Sequence, residues 1–327
     1  MIIENSKTYN VNEVDSLFFR PSFCGKSAEE LGIRVLYNMP IPTKIPSFGH
    51  RSNILKTFSS GWQGNCATDY RETEINMMKL KAENTYSAES YFSSVYEMMI
   101  CSGDLSLGDM TGTDLEKAET ELFRRSIAES VYATMWFGDE DGEISDLTGF
   151  DGFIRRLIRI HEMEDDEPTG VTIFSDPVET CVDTLFADVW SEASDSLRAL
   201  ATDGNLAFFV SSDIYDAYHF WLDNQGLTNV VAEAGSIRPT LLFHGIPVIE
   251  IPSHRYNLSR AKSFCILTDR RNFVLALNTA DSPEKEIRMW YNPDQMENRQ
   301  RVIFLAGTGI ADEALVSAQI FDKGVNL

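Results

Sequence analysis

No stretch of this 327-residue chain comes near the roughly 18 consecutive apolar residues that a membrane-spanning helix requires, so the sequence predicts no span. The start, Met1-Ile2-Ile3-Glu4-Asn5, lacks the basic residues and long apolar region of a secretory signal. Cysteine is scarce: Cys24, Cys66, Cys101, Cys181 and Cys265 are odd in number, far apart and without a C-x-x-C pair. That argues against a zinc site or a disulfide framework and fits a reducing cytosol. Positive charge is short as well, with 28 Lys and Arg against 50 Asp and Glu and a net charge of −22. Gripping phosphates needs clustered Lys and Arg that displace counterions, so nucleic-acid binding is disfavoured. The same charge keeps a concentrated protein soluble and repels DNA lying beside it, although an ordinary acidic cytosolic protein has this balance too.

Catalytic motifs are equally sparse. There is no G-x-S-x-G elbow and no G-x-G-x-x-G after a strand; Gly307-Thr308-Gly309 lacks the third glycine and a following amphipathic helix. Cys24-Gly25-Lys26-Ser27 resembles the end of a phosphate-binding loop, but Arg20 stands where the first glycine belongs and no strand precedes it. Ser27 is read instead as the cap of a short turn through Glu30 and Leu31. Aligning Gly142 as the glycine of a calcium loop puts Phe137 first and Thr148 last, where carboxylates belong. The five histidines (His50, His161, His219, His244, His254) are dispersed, and the acidic run Glu162–Glu167 reads as a solvated loop. No residue is assigned a catalytic, cofactor-binding or metal-binding role, and no cofactor is called for.

What is present is an ordered series of elements, with 43% apolar residues to build one large or two to three smaller domains. Residues 1–30 are polar with scattered aromatics and read as an arm that needs another surface to order it. Gly32 to Pro46 is extended and proline-rich. Two strand-like runs follow, Ile54–Phe58 and Glu74–Leu80, as a two-stranded excursion with little apolar surface of its own. A helix is expected from Ser87 through Met99. The capping box Thr113-x-x-Glu116 then opens a long amphipathic helix with Leu115, Ala118, Leu122, Ile127, Val131 and Met135 on one stripe, ending at Gly138.

Phe153 to His161 is basic and partly helical. Asp176-Pro177-x-Glu179 reads as another helix start, with a stripe from Val182 to Leu197. Leu206–Val210 suits a buried strand, and Ser211 or Ser212 caps a helix carrying Ile214, Tyr218, Trp221 and Leu222 that closes at Gly226. In Leu241–Pro252, Gly245 and Pro247 break one apolar run from the next. Strands are expected at Phe264–Leu267 and Phe273–Leu277. A β-meander follows over Ile287–Tyr291, Arg301–Ala306 and Ala314–Phe321, turning at Gly307 and Gly309.

The unit of strand, capped helix, loop and Leu242-Phe243-His244-Gly245-Ile246-Pro247-Val248 is similar to the central domain of tailed-bacteriophage major capsid proteins. The long helix ending in Gly138-Asp139, followed by Thr148-Gly149-Phe150, resembles the end of that family's spine helix. The order of features looks like this family, the Hong Kong-type capsid fold, over nearly the whole chain.

The resemblance implies an α+β fold with an N-terminal arm (1–30), an extended loop region (31–85), a peripheral domain with the spine helix (86–165), an axial domain (166–280) and a peripheral β-meander (281–327). It implies hexamers and pentamers closing into an icosahedral head around double-stranded DNA, with no sequence-specific DNA binding, no membrane and no catalysis. Assembly in a host bacterial cytoplasm and residence in the virion follow. Only about 30 residues precede the extended region, so a separate scaffolding protein is implied, beside a portal protein and decoration proteins as further partners. Lys44 and Lys56 lie where some relatives crosslink, but no crosslink is assigned. Two alternatives stay open: an encapsulin-type compartment shell of the same fold, and a cytosolic α+β enzyme.

Overall fold

The computed structural model describes residues 27–37, 39, 42–50, 60, 68–86, 114–142, 144, 147–163, 170–176, 178–225, 241–256, 258, 260–279 and 288–326. In chain order the elements begin with strands β1 (Arg34–Tyr37), β2 (Thr43–His50), β3 (Thr68–Ile75) and β4 (Met78–Tyr86). Helices α1 (Asp114–Phe137) and α2 (Phe153–Met163), strands β5 (Val171–Phe174) and β6 (Val178–Glu179), and helices α3 (Val182–Glu192) and α4 (Asp195–Ala199) follow. Next come β7 (Leu206–Ser211), α5 (Ser212–Asn224), β8 (Leu241–Phe243), β9 (Ile246–Ile251), β10 (Ser263–Asp269) and β11 (Phe273–Thr279). The chain closes with β12 (Arg288–Asn292), β13 (Glu297–Ile310), β14 (Val316–Phe321) and β15 (Val325–Asn326).

A six-stranded sheet in the order β5-β14-β10-β7-β9-β8 forms one body. Its inner strands β7, β10 and β14 are buried at every position, which is why their sequences are near-continuous apolar runs instead of alternating ones. The two faces still separate with period two. Ala207, Phe209, Phe264, Ile266, Ala318 and Ile320 face the C-terminal part of α1 and α2. Leu206, Phe208, Val210, Cys265 and Leu267 face α3 and α5, through Leu185, Phe186, Val189, Ile214 and Tyr218.

The second body is a five-stranded sheet, β1-β11-β13-β12, with β4 also paired to β13. Because β13 pairs with β4 at residues that also pair with β11 or β12, β4 occupies its opposite edge. One face of this sheet shares the α1–α2 core, where Trp136 packs against Phe153, Phe209 and Phe273 at ring-centroid distances of 5.3, 5.2 and 5.8 Å. Trp136 therefore joins the two sheets through one aromatic cluster. Arg255 adds a polar link between α1 and the segment after β9, pairing with Glu129 at 3.0 Å.

Local chemistry explains several boundaries. Ser27 and Glu30 exchange reciprocal side-chain-to-backbone bonds (2.9 and 3.2 Å), so the expected capped turn is present. α1 ends where its sequence says, with Gly138 N–H donating to Thr134 O at 2.8 Å. The β8–β9 turn is His244-Gly245 with φ of 50° and 81°, the left-handed pair that a two-residue hairpin demands. Pro247 lies inside β9, opposite Leu242 and one residue before the β7 ladder begins at Val248, where its missing N–H breaks no pairing with β7.

Other expectations are corrected. The Asp176-Pro177-x-Glu179 pattern does not open a helix: Val178–Glu179 pairs in parallel with Val325–Asn326, and α3 starts only after Cys181. Pairing with the distant end of the chain overrides the local signal. The β-meander is one hairpin, β12–β13. β14 joins β10 and β5 in the other sheet, and Gly307 and Gly309 lie inside a single continuous strand. Glu74–Leu80 is not one strand but two, separated at Asn76-Met77. On α1, Leu122 is 37% exposed while its neighbour Phe123 is buried and Ile127 is half-buried, so of the expected stripe Val131 packs against the core and Met135 lies in it, and the side chains of Leu115 and Ala118 lie outside the described ones. The arm before Ser27, the run Ile54–Phe58, the helix over 87–99 and Gly226 lie outside the described residues.

Candidate assembly surface

The hairpin of β2 and β3 is paired in antiparallel register from Thr43↔Ile75 to His50↔Thr68 and forms a two-stranded sheet of its own. Eight residues per strand carry it about 26 Å at the usual rise of ~3.3 Å per residue. Its base is anchored. Ile45, Ile75 and Met77 are buried against Val274 of β11 and Ala276 beside it. Thr73 Oγ1 donates to the carbonyl of Ala311 at 3.0 Å. On the opposite face of the same strands, Lys44, Pro46, Tyr70, Glu72 and Glu74 are exposed.

Polar contacts link the described side chains of this exposed face. Lys44 Nζ lies 3.1 Å from Glu72 Oε2, and the Tyr70 hydroxyl donates to Glu72 Oε1. The Tyr70 hydrogen bond, then the Lys44 charge, hold the Glu72 carboxyl below the usual carboxylate range, and the same bond pushes the Tyr70 phenol up. Exposed apolar side chains stand elsewhere too: Leu242 on the sheet-edge strand β8, Phe220 on α5 (67% exposed), Tyr37 on β1 and Met296 in the β12–β13 turn.

Two polar clusters stand elsewhere among the described residues. Ser212 Oγ sits 2.9 Å from His254 Nδ1 and donates to Glu250 Oε1 at 2.9 Å. In a nucleophilic triad the carboxylate would orient the imidazole, but here Glu250 binds the serine itself. The cavity between the end of α1 and residues 258–261 has a volume of about 60 Å³, room for a few waters at most and far below the roughly 300 Å³ where ligand pockets begin. Its arginines are occupied, Arg155 with Asp139 (3.2 Å) and Arg260 with Asp322 (3.7 Å). Among the described residues no group of three or more His, Cys, Asp or Glu is placed to hold a metal, and no helix is long and apolar enough to cross a membrane. His244 is a turn residue stacked edge-on to Phe243, and His219 pairs with Asp223 along α5. Lys44 is ion-paired as above, and Lys56 lies outside the described residues.

Neither a family model nor a curated protein matches the sequence. Solved structures do match the fold from end to end. A chain of the satellite phage P4 procapsid, solved with its size determination protein, superposes with a TM-score of 0.60 at 11% identity, over 95% of this chain and 94% of that one. The fold is that of the tailed-phage capsid proteins. Gordonia phage Cozz gives a TM-score of 0.54 at 10% identity over 96% of this chain and 91% of that chain. The capsid of an empty GTA particle gives 0.53 at 13% over 94% and 93%. At such identities the likeness is one of architecture, carried by which positions are buried and how strands connect, with side-chain identity largely free. Within this capsid fold the β2–β3 hairpin lies in the region where the sequence predicts a two-stranded excursion: the described pairing is 43–50 with 68–75, Glu74–Leu80 divides between β3 and β4, and Ile54–Phe58 lies outside the described residues.

Proposed function

We propose that this protein is the major capsid protein of a tailed double-stranded DNA bacteriophage, assembling with itself as hexamers and pentamers into an icosahedral head. The observation that carries this reading is the hairpin: two eight-residue strands paired only with each other in a capsid fold, with Ile45, Ile75 and Met77 buried at the base and Lys44, Pro46, Tyr70, Glu72 and Glu74 exposed on the opposite face. Two isolated strands are marginal in water, so a neighbour that covers the shaft supplies what the subunit lacks. The net charge of −22 suits a wall that encloses DNA without adhering to it.

In this reading the axial unit is the six-stranded sheet with α3 and α5, drawn from 166–280 and completed by β14 and β15. The peripheral unit is α1 with the five-stranded sheet. A separate scaffolding protein, a portal protein and decoration proteins are its expected partners, and the chain catalyses nothing. Negative-stain microscopy of the purified protein, alone and with a candidate scaffolding protein, tests the reading. Closed shells protecting DNA from nuclease support it. Shells that co-purify with an enzyme cargo and no DNA would point to a compartment instead, and a chain that stays monomeric would contradict both.

A further inference from the structure

The step between β3 and β4 crosses the sheet at one place, and that place is made of glycine. β4 pairs with β13 as far as Met78↔Ala306. Beyond that register the chain rises over the face of β13, passing Gly307 and then Gly309. A Cβ on Gly307 would lie 2.4 Å from the backbone oxygen of Asn76 and 3.2 Å from the Cα of Met77. A Cβ on Gly309 would lie 2.5 Å from Ile75 Cγ1 and 2.6 Å from its Cδ1.

The two glycines share a face because strand side chains alternate. Across the ladder, Gly309 is opposite Val274 and Gly307 opposite Ala276, the same residues that bury Ile75 and Met77. Between them Thr308 points to the other face, where its hydroxyl donates to the Asp151 carbonyl and accepts from Arg156 Nε at 2.9 Å. A side chain is thus used where the sheet meets its helices, and omitted at the two positions where the hairpin lies on the backbone.

We propose that Gly307 and Gly309 form a seat that sets the direction in which the β2–β3 hairpin leaves its sheet, and through it the angle between neighbouring subunits. The second clause rests on the shell reading above; the first stands on the subunit alone. The two positions act differently. An alanine at 307 meets backbone, so the Asn76-Met77 step must move and carry β3 with it. An alanine at 309 meets side chain and not backbone, the Cγ1 and Cδ1 of buried Ile75, so Ile75 must repack while the Asn76-Met77 backbone is not itself struck.

The test compares G307A, G309A, I75A and the double variant I75A/G309A, each checked for folding by circular dichroism. In the subunit, hydrogen exchange at the amides of Thr73 to Met77 is expected to be about tenfold faster in G307A while β7 and β10 amides stay unchanged. In assembly, G307A is expected to give shells of altered diameter or none, and G309A a smaller change. Removing Cγ1 and Cδ1 of Ile75 makes room for the Gly309 methyl, so the double variant is expected closer to wild type than either single.

Wild-type exchange in G307A, or a double variant no better than the sum of its singles, overturns the seat. Shells of unchanged diameter from G307A overturn its effect on subunit angle. Should G307A fail to fold, G309A and its compensation by I75A decide the matter. If the wild-type chain forms no shells at all, the shell reading fails instead, and the exchange measurement still decides the seat.

Discussion

The strands of the six-stranded sheet and those of the β2–β3 hairpin are of similar length but differ in what completes them. β7, β10 and β14 bury all their residues between two layers of helices from the same chain. The hairpin buries Thr43, Ile45 and Ile75 at its base and leaves Lys44, Pro46, Tyr70, Glu72 and Glu74 outside. Since burial of apolar area is the main favourable term in folding, the first region is complete within one subunit. The second is held in register by its base and by polar contacts that water competes for. The difference separates what makes the subunit fold from what it offers to a neighbour.

The comparison breaks most visibly at the aromatic junction. Trp136→Ala, at a side chain with no exposed surface and three aromatic neighbours, is expected to cost about 3–5 kcal/mol in denaturant unfolding. A loss of less than about 1 kcal/mol would mean the two sheets do not share this core. Along α1 the contrast narrows to adjacent residues. Phe123→Ala should destabilise clearly, whereas Leu122→Ala, at a 37% exposed position, should stay within about 0.5 kcal/mol of wild type. Equal losses would restore the longer core stripe expected from the sequence.

A smaller effect is expected at Arg255. Its pair with Glu129 at 3.0 Å is partly open to solvent, so Arg255→Ala should cost about 0.2–1 kcal/mol and less in high salt. The smallest concerns the shaft. Glu72 has its carboxyl lowered by Tyr70 and Lys44, so the links are present above the usual carboxylate range and are lost as pH falls through the lowered value. An NMR titration of Glu72 should move to higher pH in Tyr70→Phe, with no measurable change in subunit stability. An unchanged midpoint would remove the contact from the account.

Thiol labelling sharpens the same division by chemistry. Burial pushes the Cys265 thiol far up, out of the range where thiolate forms, whereas Cys181 is exposed. Peptide mapping of the native protein should find Cys181 alkylated and Cys265 unmodified until denaturation.

How much of this was legible in the sequence follows the same line between local and distant causes. α1 and α5 and the strands β7, β10 and β11 were readable because helical periodicity and apolar runs are local signals; Ser211 stands at the N-cap of α5 but its side chain caps no backbone N–H, and Thr113 lies outside the described residues. The helix expected at Asp176 failed because Val178 and Glu179 are captured by Val325 and Asn326, nearly 150 residues away in sequence. Gly307 and Gly309 were read as a turn because glycine marks turns more often than close backbone approach, and nothing local announces Asn76 lying over them. The spine stripe was read at full length because periodicity reports a face, not what covers it. That a two-stranded excursion lies in this region was legible from its poverty in apolar residues, but its register and its base were not.

The central claim is that the hairpin shaft serves assembly and not the subunit's own fold. Because β4 from Met78 onward belongs to the five-stranded sheet, the decisive variant removes only residues 47–71 and keeps Ile45, Thr73, Ile75 and Met77. Sedimentation and negative-stain microscopy of that variant, beside its circular dichroism and unfolding midpoint, give the direct answer. The account predicts a folded subunit with near-wild-type stability that forms no closed shell under conditions where the full chain does. Closed shells of normal size from the shortened chain would contradict it.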